Sequence, residues 1–543
     1  MRLALAFTAL AVGASGAEAP KPNPEPRLLS VYPAVVQAGI STEVNIRGTA
    51  LGGARALVFR EQDATSAVSG VEKDEAVRVR VTAAKSGTLH FRVLTPQGVT
   101  NELTLAAVPE PVAEESTLKA PLNKFPVAVA GKLATRGEED LVWIEAQAGE
   151  TLTFRCAPGT SAFDPAVALL EPSGSWFNEG RLNRIAFNDE PLHFPGLSHD
   201  AHLVHRIERA GKFAVQIGAF GGQGGPDYTY QLRIERGALD APVLHPTGGS
   251  WEERQFTRNM SGDWLAKLGA RGGRTNEPAP KPEIFRATAD DSAEPPVMTA
   301  PGVVEGRIAK AAETHRIRLR IDAPKDLAIE IETPEATMPR FNPVVRLIAP
   351  GGGEVVTNVY TKRNNNGLYM MKMIQAKSTF TLRAAGDYLM EIRDITTDVT
   401  GPDFAYRVLV RPQIPHVGKA DVAEDHLNLE PGQAKPVTVT LDREEEFKGL
   451  VLLSADGLPA GVTATAGMAN PIEKPPLPNG GRLERYVGKP QIATLMFVAA
   501  DDAKPSETPA TVRVYFRTVS GGKQSPPVLI KEIPVLVIPR KAS

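Results

Sequence analysis

The 543-residue chain has one cysteine, Cys156, so no disulfide can close within it. Aromatic residues make up 6% of the chain, too few for a dense stacking platform. After the N-terminus no apolar run approaches the roughly 20 residues that a membrane-spanning helix needs. Neither charge dominates: 61 Lys and Arg stand against 63 Asp and Glu, a net of −2. That balance excludes the basic surface that nucleic-acid phosphates demand. The absence of a basic amphipathic segment removes the usual element for lying on a membrane.

What the chain does have is turn chemistry, with 48 Gly and 46 Pro. That composition suits many short strands, and the length predicts three to five domains of about 100–200 residues each. The first residues have the layout of an export signal. Arg2 is the positive start, Leu3 to Val12 the apolar stretch, and small residues follow. Ser15-Gly16-Ala17 fits a signal-peptidase site and avoids placing Pro20 directly after the cut. Cleavage after Ala17 predicts a soluble periplasmic or secreted protein with no later membrane span. Cys156 ends the alternating run TLTFRC, where it shares a face with Leu152 and Phe154 and is expected to be a small core residue.

Residues 26–108 carry period-two segments such as TEVNIRG, AVRVRVT and TLHFRVLTPQG, expected as half-buried strands. Tyr32-Pro33, Gly39, the V-x-I-x-G step from Val44 to Gly48, and Thr95-Pro96-x-Gly98 with Asn101 resemble the IPT/TIG immunoglobulin-like family. That resemblance implies a structural or interaction module. The Pro/Glu-rich string VPEPVAEES (108–116) marks residues 109–118 as an expected extended linker that does not pack.

Beyond the linker the chain repeats itself. VAGKL (129–133) matches VEGRI (304–308), and FDPAVALLEPSG (163–174) matches FNPVVRLIAPGG (341–352). AGKFAVQI (210–217) matches AGDYLMEI (385–392), and GPDYTYQLRI (225–234) matches GPDFAYRVLV (401–410). The offsets are 175, 178, 175 and 176 residues, so the chain contains an internal duplication. In the last block Gly-Pro-Asp makes a turn. Tyr228, Tyr230, Leu232 and Ile234 then share a face, as do Phe404, Tyr406, Val408 and Val410.

Copy 1 (119–236) and copy 2 (301–412) resemble the bacterial pre-peptidase C-terminal (PPC) domain. The resemblance is carried in copy 1 by Asp140 with Trp143, Phe163-Asp164-Pro165 with Leu169, Asn188-Asp189, Asp200 with Leu203, and Gly211-Lys212-Phe213 with Val215. Copy 2 departs at two acids: His315 stands for Asp140 and Asn342 for Asp164. The connector 237–300 predicts one short helix near Gly262–Ala270. Residues 413–540 carry further alternating strands and a GLPAGV turn, resembling the immunoglobulin-like modules that follow PPC domains.

Few residues offer chemistry. GTSAFDP places Ser161 as in the nucleophile string of subtilisin-like proteases, but no Asp-Thr-Gly or His-Gly string supplies a base and an acid. His193, His199, His202 and His205 cluster near Asp200, and within a strand His202 and His205 would face opposite ways, against a shared metal. The PPC resemblance implies calcium in some relatives, which nominates Asp140, Asp189 and Asp200, while capping or solvated acids are the plainer account. Trp176 and Phe177 could form a small contact patch or anchor their loop.

The expectation is an all-β chain of tandem β-sandwich modules, jelly-roll or immunoglobulin-like. The expected role is exported, non-catalytic binding or assembly, with protein or polysaccharide as partner and no cofactor unless calcium. The alternatives are accessory modules of a secreted hydrolase and a calcium-stiffened spacer.

Overall fold

The computed structural model describes residues 25–61, 63–160, 163–173, 181–188, 201–219, 221–237, 244–246, 283–289, 293–334, 341–363, 370–374, 377–395, 404–469 and 491–540. The fold is all-β. Among the described residues helical structure is limited to one 3₁₀ turn, Glu115–Thr117. The proposed leader and the helix expected near Gly262–Ala270 lie outside the described residues.

Four separate cores are buried along the chain. The first module packs Val31, Ile46, Val79 and Phe91 between two sheets. One sheet has the order Arg27–Tyr32, Thr42–Thr49, Ala76–Ala83, Ala64–Glu72. Alternation writes this core directly: in Ala76–Ala83 the valines at 77, 79 and 81 are buried while Arg78 and Arg80 are exposed. The terminal module is built likewise around Val439, Leu453, Phe497 and Val514.

The two copies share one topology. In copy 1 one sheet runs Val112–Glu114, Val127–Lys132, Thr229–Arg236, Thr151–Pro158, Ala201–Arg206. The corresponding sheet of copy 2 runs Glu283–Arg286, Gly302–Arg307, Ala405–Pro412, Lys325–Pro334, with Lys377–Leu382 on the last strand. The second sheets correspond too: Asp140–Ala146, Gly211–Ala219, Pro165–Pro172, Leu182–Asn188 against Thr314–Ile321, Gly386–Asp394, Pro343–Ile348, Glu354–Thr357. Register is kept with order, since Val129 faces Leu232 in copy 1 and Val304 faces Val408 in copy 2. Tyr230, Leu232, Ile234, Phe404, Tyr406, Val408 and Val410 are buried, as the alternation predicts, while Tyr228 is only half-buried and Leu409 and Arg411 of the opposite face are buried too.

Two expectations are corrected. The connector 237–300 is not separate from copy 2, since its strands Glu283–Arg286 and Val297–Met298 pair in parallel with Gly302–Arg307 and Thr314–Ile321. Residues 109–118 do not form an unpacked linker. Val112–Glu114 pairs in parallel with Val127–Lys132 and becomes an edge strand of copy 1. Glu110 is buried in an ion pair with Arg233. The Pro/Glu composition misled because three residues of backbone pairing need no apolar signature.

Nor do the modules form an open string. The first module touches copy 1 through Val35, Val108, Ala128 and Ala130, and touches the terminal module through Leu94, Val99 and Leu536. Within the chain, the first and last modules are neighbours.

Candidate functional site

Asp140 is the one member of the expected calcium set that the structure describes. Asp189 and Asp200 lie outside the described residues, as do Trp176, Phe177, Ser161, His193 and His199. The Asp140 carboxylate points into the core of copy 1 and accepts a hydrogen bond from the Tyr230 hydroxyl at 2.7 Å. Burial pushes this carboxyl up to about 6, against the Tyr230 hydrogen bond, with Glu115 and Glu138 adding to the rise.

The same place in copy 2 holds His315, whose Nδ1 lies 2.6 Å from the Tyr406 hydroxyl. Each tyrosine ring covers a glycine of the duplicated VAGKL/VEGRI block. A Cβ at Gly131 would overlap Tyr230, and one at Gly306 would overlap Tyr406. The repeated unit is therefore Gly, Tyr and a polar partner that can be acid or imidazole. Nε2 of His315 lies 3.5 Å from Glu313. Hydroxyl, imidazole and carboxylate thus stand in series, the order of a hydrolytic relay. Tyr406 is only 2% exposed and its ring lies under Gly306, so its hydroxyl has no substrate access. Burial lowers the His315 imidazole more than Glu313 raises it.

His202 and His205 pair with Arg155 and Leu152 on the strand Ala201–Arg206, and strand alternation sends them to opposite faces. Cys156 is fully buried in the core of copy 1. Nearby acids are engaged locally: Glu138 accepts from the Thr135 backbone and hydroxyl, and Glu139 from Gln216. Asp227, in the Gly-Pro-Asp turn, instead ties copy 1 to the first module, accepting from Ser30 at 2.7 Å and Arg47 at 2.9 Å.

The densest chemistry lies between copy 2 and the terminal module, where sequence reasoning did not look. Arg411, fully buried, donates to Glu330 and to both oxygens of Glu445 at 2.7 and 2.6 Å. Lys377 bonds Glu444 and lies 2.6 Å from Glu445. The His416 Nδ1 lies 2.5 Å from the Ile414 carbonyl, and its Nε2 lies 3.3 Å from Glu444. Burial pulls the Lys377 ammonium down, and Glu444, Glu445 and Glu330 together outweigh it and push it up. Burial would raise Glu444 and Glu445, but the Lys377 charge leads a set of partners that hold both well below the carboxylate range.

His416, Glu444 and Glu445 bring ligand atoms within 4.8 Å of one another, a grouping that could hold a metal. The Lys377 ammonium already bonds both carboxylates, so a cation occupies that role. Glu445 and Glu446 both adopt left-handed backbone, φ 53° and 61°, a conformation that costs non-glycine residues energy and persists where surroundings enforce it.

On the other side of the terminal module, the Asn428 side chain accepts from the Val99 N–H and donates to the Val99 carbonyl, both at 2.9 Å. Asp425 accepts from Arg92 and from the Glu102 N–H, each at 3.1 Å. These contacts join residues more than 300 positions apart.

No family and no curated protein matches the chain. Solved structures give only distant likenesses. The secreted serine protease VesC from Vibrio cholerae is 9% identical over 37% of this chain and 48% of its own, TM-score 0.15, so the chain spans about half of VesC. Domains 4 and 5 of the S-layer protein SbsC are 14% identical over 44% of this chain and 97% of theirs, TM-score 0.15. The Bacteroides ovatus protein SGBP-B, solved with a mixed-linkage heptasaccharide, is 8% identical over 71% and 74%, TM-score 0.15. At these scores the likenesses carry no argument about function.

Proposed function

We propose that this chain is an exported, non-catalytic scaffold that holds its β-sandwich modules in a fixed arrangement and contacts protein or polysaccharide at the cell envelope or outside it. The observation that supports this reading most is the placing of the polar chemistry. The buried charged groups outside the module cores lie largely at junctions between modules: Arg411, Glu330, Lys377, Glu444 and Glu445 at one, and Arg92, paired with the half-exposed Asp425, at another. Buried ion pairs contribute little net stability, but they penalise every geometry that leaves one partner unpaired. They suit a protein whose module angles matter. Export rests on the leader-like first 17 residues.

Small-angle scattering of the leader-free chain tests the arrangement. A closed arrangement gives a radius of gyration closer to the roughly 24 Å of a compact chain this long than to the about twofold larger value of an extended string. An extended profile, or hydrolase activity lost on substituting a residue of the described cores, would overturn the reading.

A further inference from the structure

The duplicated sandwiches differ most on the outer face of their second sheet. In copy 2 that face is a ladder of ion pairs. Arg316 and Arg346 flank Glu391 at 3.0 and 2.5 Å, and Arg320 pairs with Asp387 at 2.9 Å. The arginines stay part-exposed above a largely covered Glu391, so this face presents charge to solvent, an ordinary covering for a sheet surface.

Copy 1 has the same strands in the same order but a different covering. Strand register puts Leu141 where Arg316 stands, Trp143 where Arg318 stands, and Ala168 where Arg346 stands. Across the four strands, Trp143 faces Ala214, which faces Leu170, which faces Arg184. One row along, Leu141, Gln216, Ala168 and Phe187 line up in the same way. Ala168, Leu170 and Ala214 form a small apolar cluster with Trp143 and Leu182, apart from the module core. Leu141 is 38% and Phe187 46% exposed. The result is a shallow floor of small side chains with an aromatic ring near each side, about 14 Å across four strands.

Two basic residues at the edge of this floor have acid partners, and a third rests on an aromatic ring. Lys212 lies 3.7 Å from Glu145, Arg209 lies 3.7 Å from Glu171, and Arg184 sits over the Phe187 ring at 4.9 Å. Gln216 donates to Glu139 at 2.6 Å, which leaves amide and carboxylate edges beside the floor. A face with paired charges complements an uncharged partner. Flat rings beside small residues fit the C–H faces of pyranose sugars, and the fixed amide and carboxylate fit their hydroxyls.

We propose that this outer face of copy 1, with Trp143 and Phe187 as its two stacking rings, binds a neutral polysaccharide chain. The assignment rests on the reading of the protein as a binding scaffold and names its ligand class. Copy 2, with its ion ladder, serves as the internal control.

Affinity electrophoresis of the leader-free chain tests it in gels containing hydroxyethylcellulose, xylan, galactomannan or the anionic alginate. Retardation is expected in at least one neutral gel. It should weaken at least tenfold in Phe187→Ala and in Trp143→Ala, and stay unchanged in Arg318→Ala on copy 2. Phe187 is exposed, so its variant folds even if the tryptophan variant does not. Failure of every neutral gel, retardation by alginate alone, or an undiminished shift in Phe187→Ala overturns the assignment. Self-association that sedimentation shows to depend on Phe187 also overturns it, by placing a second copy on this face. Apart from self-association, which sedimentation identifies, none of these outcomes alters the scattering profile of the single chain, so the scaffold reading stands or falls separately.

Discussion

Arg411 on the last strand of copy 2 and Glu445, in the turn directly after the terminal-module strand Ala434–Glu444, meet through two hydrogen bonds, with neither side chain exposed. Glu445 also accepts from the Ile414 backbone, so one carboxylate closes the peptide segment that links the two modules. It reaches this position only because its own backbone and that of Glu446 are left-handed. The Phe447 N–H donates to the Glu444 carbonyl at 3.1 Å and closes the turn around the two glutamates, and the ion network adds to that hold.

Arg411→Met should therefore behave as a junction variant. It leaves Glu330 and Glu445 buried with Lys377 as their remaining cation, and breaking such a pair costs about 3–5 kcal/mol. The expected result is a lower unfolding midpoint and faster amide exchange in residues 411–416 and 442–448, with the first module's exchange unchanged. An unchanged midpoint would show that the network adds nothing to the junction.

Much of the fold was legible because β-structure writes its burial in period two. The valines of Ala76–Ala83 and the twin strands ending in Ile234 and Val410 could be assigned to a face before any coordinates. The duplication was legible for the same reason, and the two copies have corresponding strand orders. The junctions were not. Glu330, Lys377, Arg411 and Glu445 are residue types that usually face water, and their partners lie on other elements, so no local pattern marks them. Asp140 was found as a special acid but read through a resemblance as a metal ligand. The better signal was in the duplication: the glycine and tyrosine are kept while Asp140 becomes His315, a swap that a hydrogen bond to a hydroxyl tolerates and an oxygen-ligand cage does not.

Asn428 should matter more than an ordinary surface amide. Its side chain satisfies both backbone groups of Val99, and it lies so close that a side chain at Gly98 would collide with it. Asn428→Ala strands a buried N–H and a buried carbonyl, a cost of about 1–3 kcal/mol each. The check is hydrogen exchange of residues 92–102, expected to accelerate while copy 2 stays protected. Unaltered protection there would mean that the first and terminal modules are held by other contacts.

The glycines beneath the paired tyrosines give a matched test of the duplication. Gly131→Ala and Gly306→Ala each push a methyl into a buried ring, and overpacking of this kind costs about 1–3 kcal/mol. Tyr230→Phe and Tyr406→Phe remove only a hydroxyl, for about 0.5–1.5 kcal/mol. Thermal denaturation should rank both alanine variants at or below the phenylalanine variants, in the same order for the two copies. A harmless Gly131→Ala would mean that Tyr230 does not cover that glycine.

The polar partners of the two tyrosines should respond oppositely to pH. Asp140 has its folded-state value raised to about 6 from an ordinary 3.8, chiefly by burial. Its stabilising contribution is complete below the unfolded value and is lost as pH rises through about 6. His315 has its value lowered, again chiefly by burial with Glu313 opposing, so its contribution is complete above the ordinary 6.5 and is lost as pH falls. The melting temperature of Asp140→Asn should therefore rise relative to the parent between pH 4 and pH 7. That of His315→Gln should rise relative to its parent as pH drops from 7 to 5. Each comparison is made at a single pH against the parent chain, which cancels the other titrating groups. Parallel curves for variant and parent across the window would show that the buried partner does not titrate with folding. If both variants shifted in one direction, the opposite signs argued from burial would be wrong for one copy.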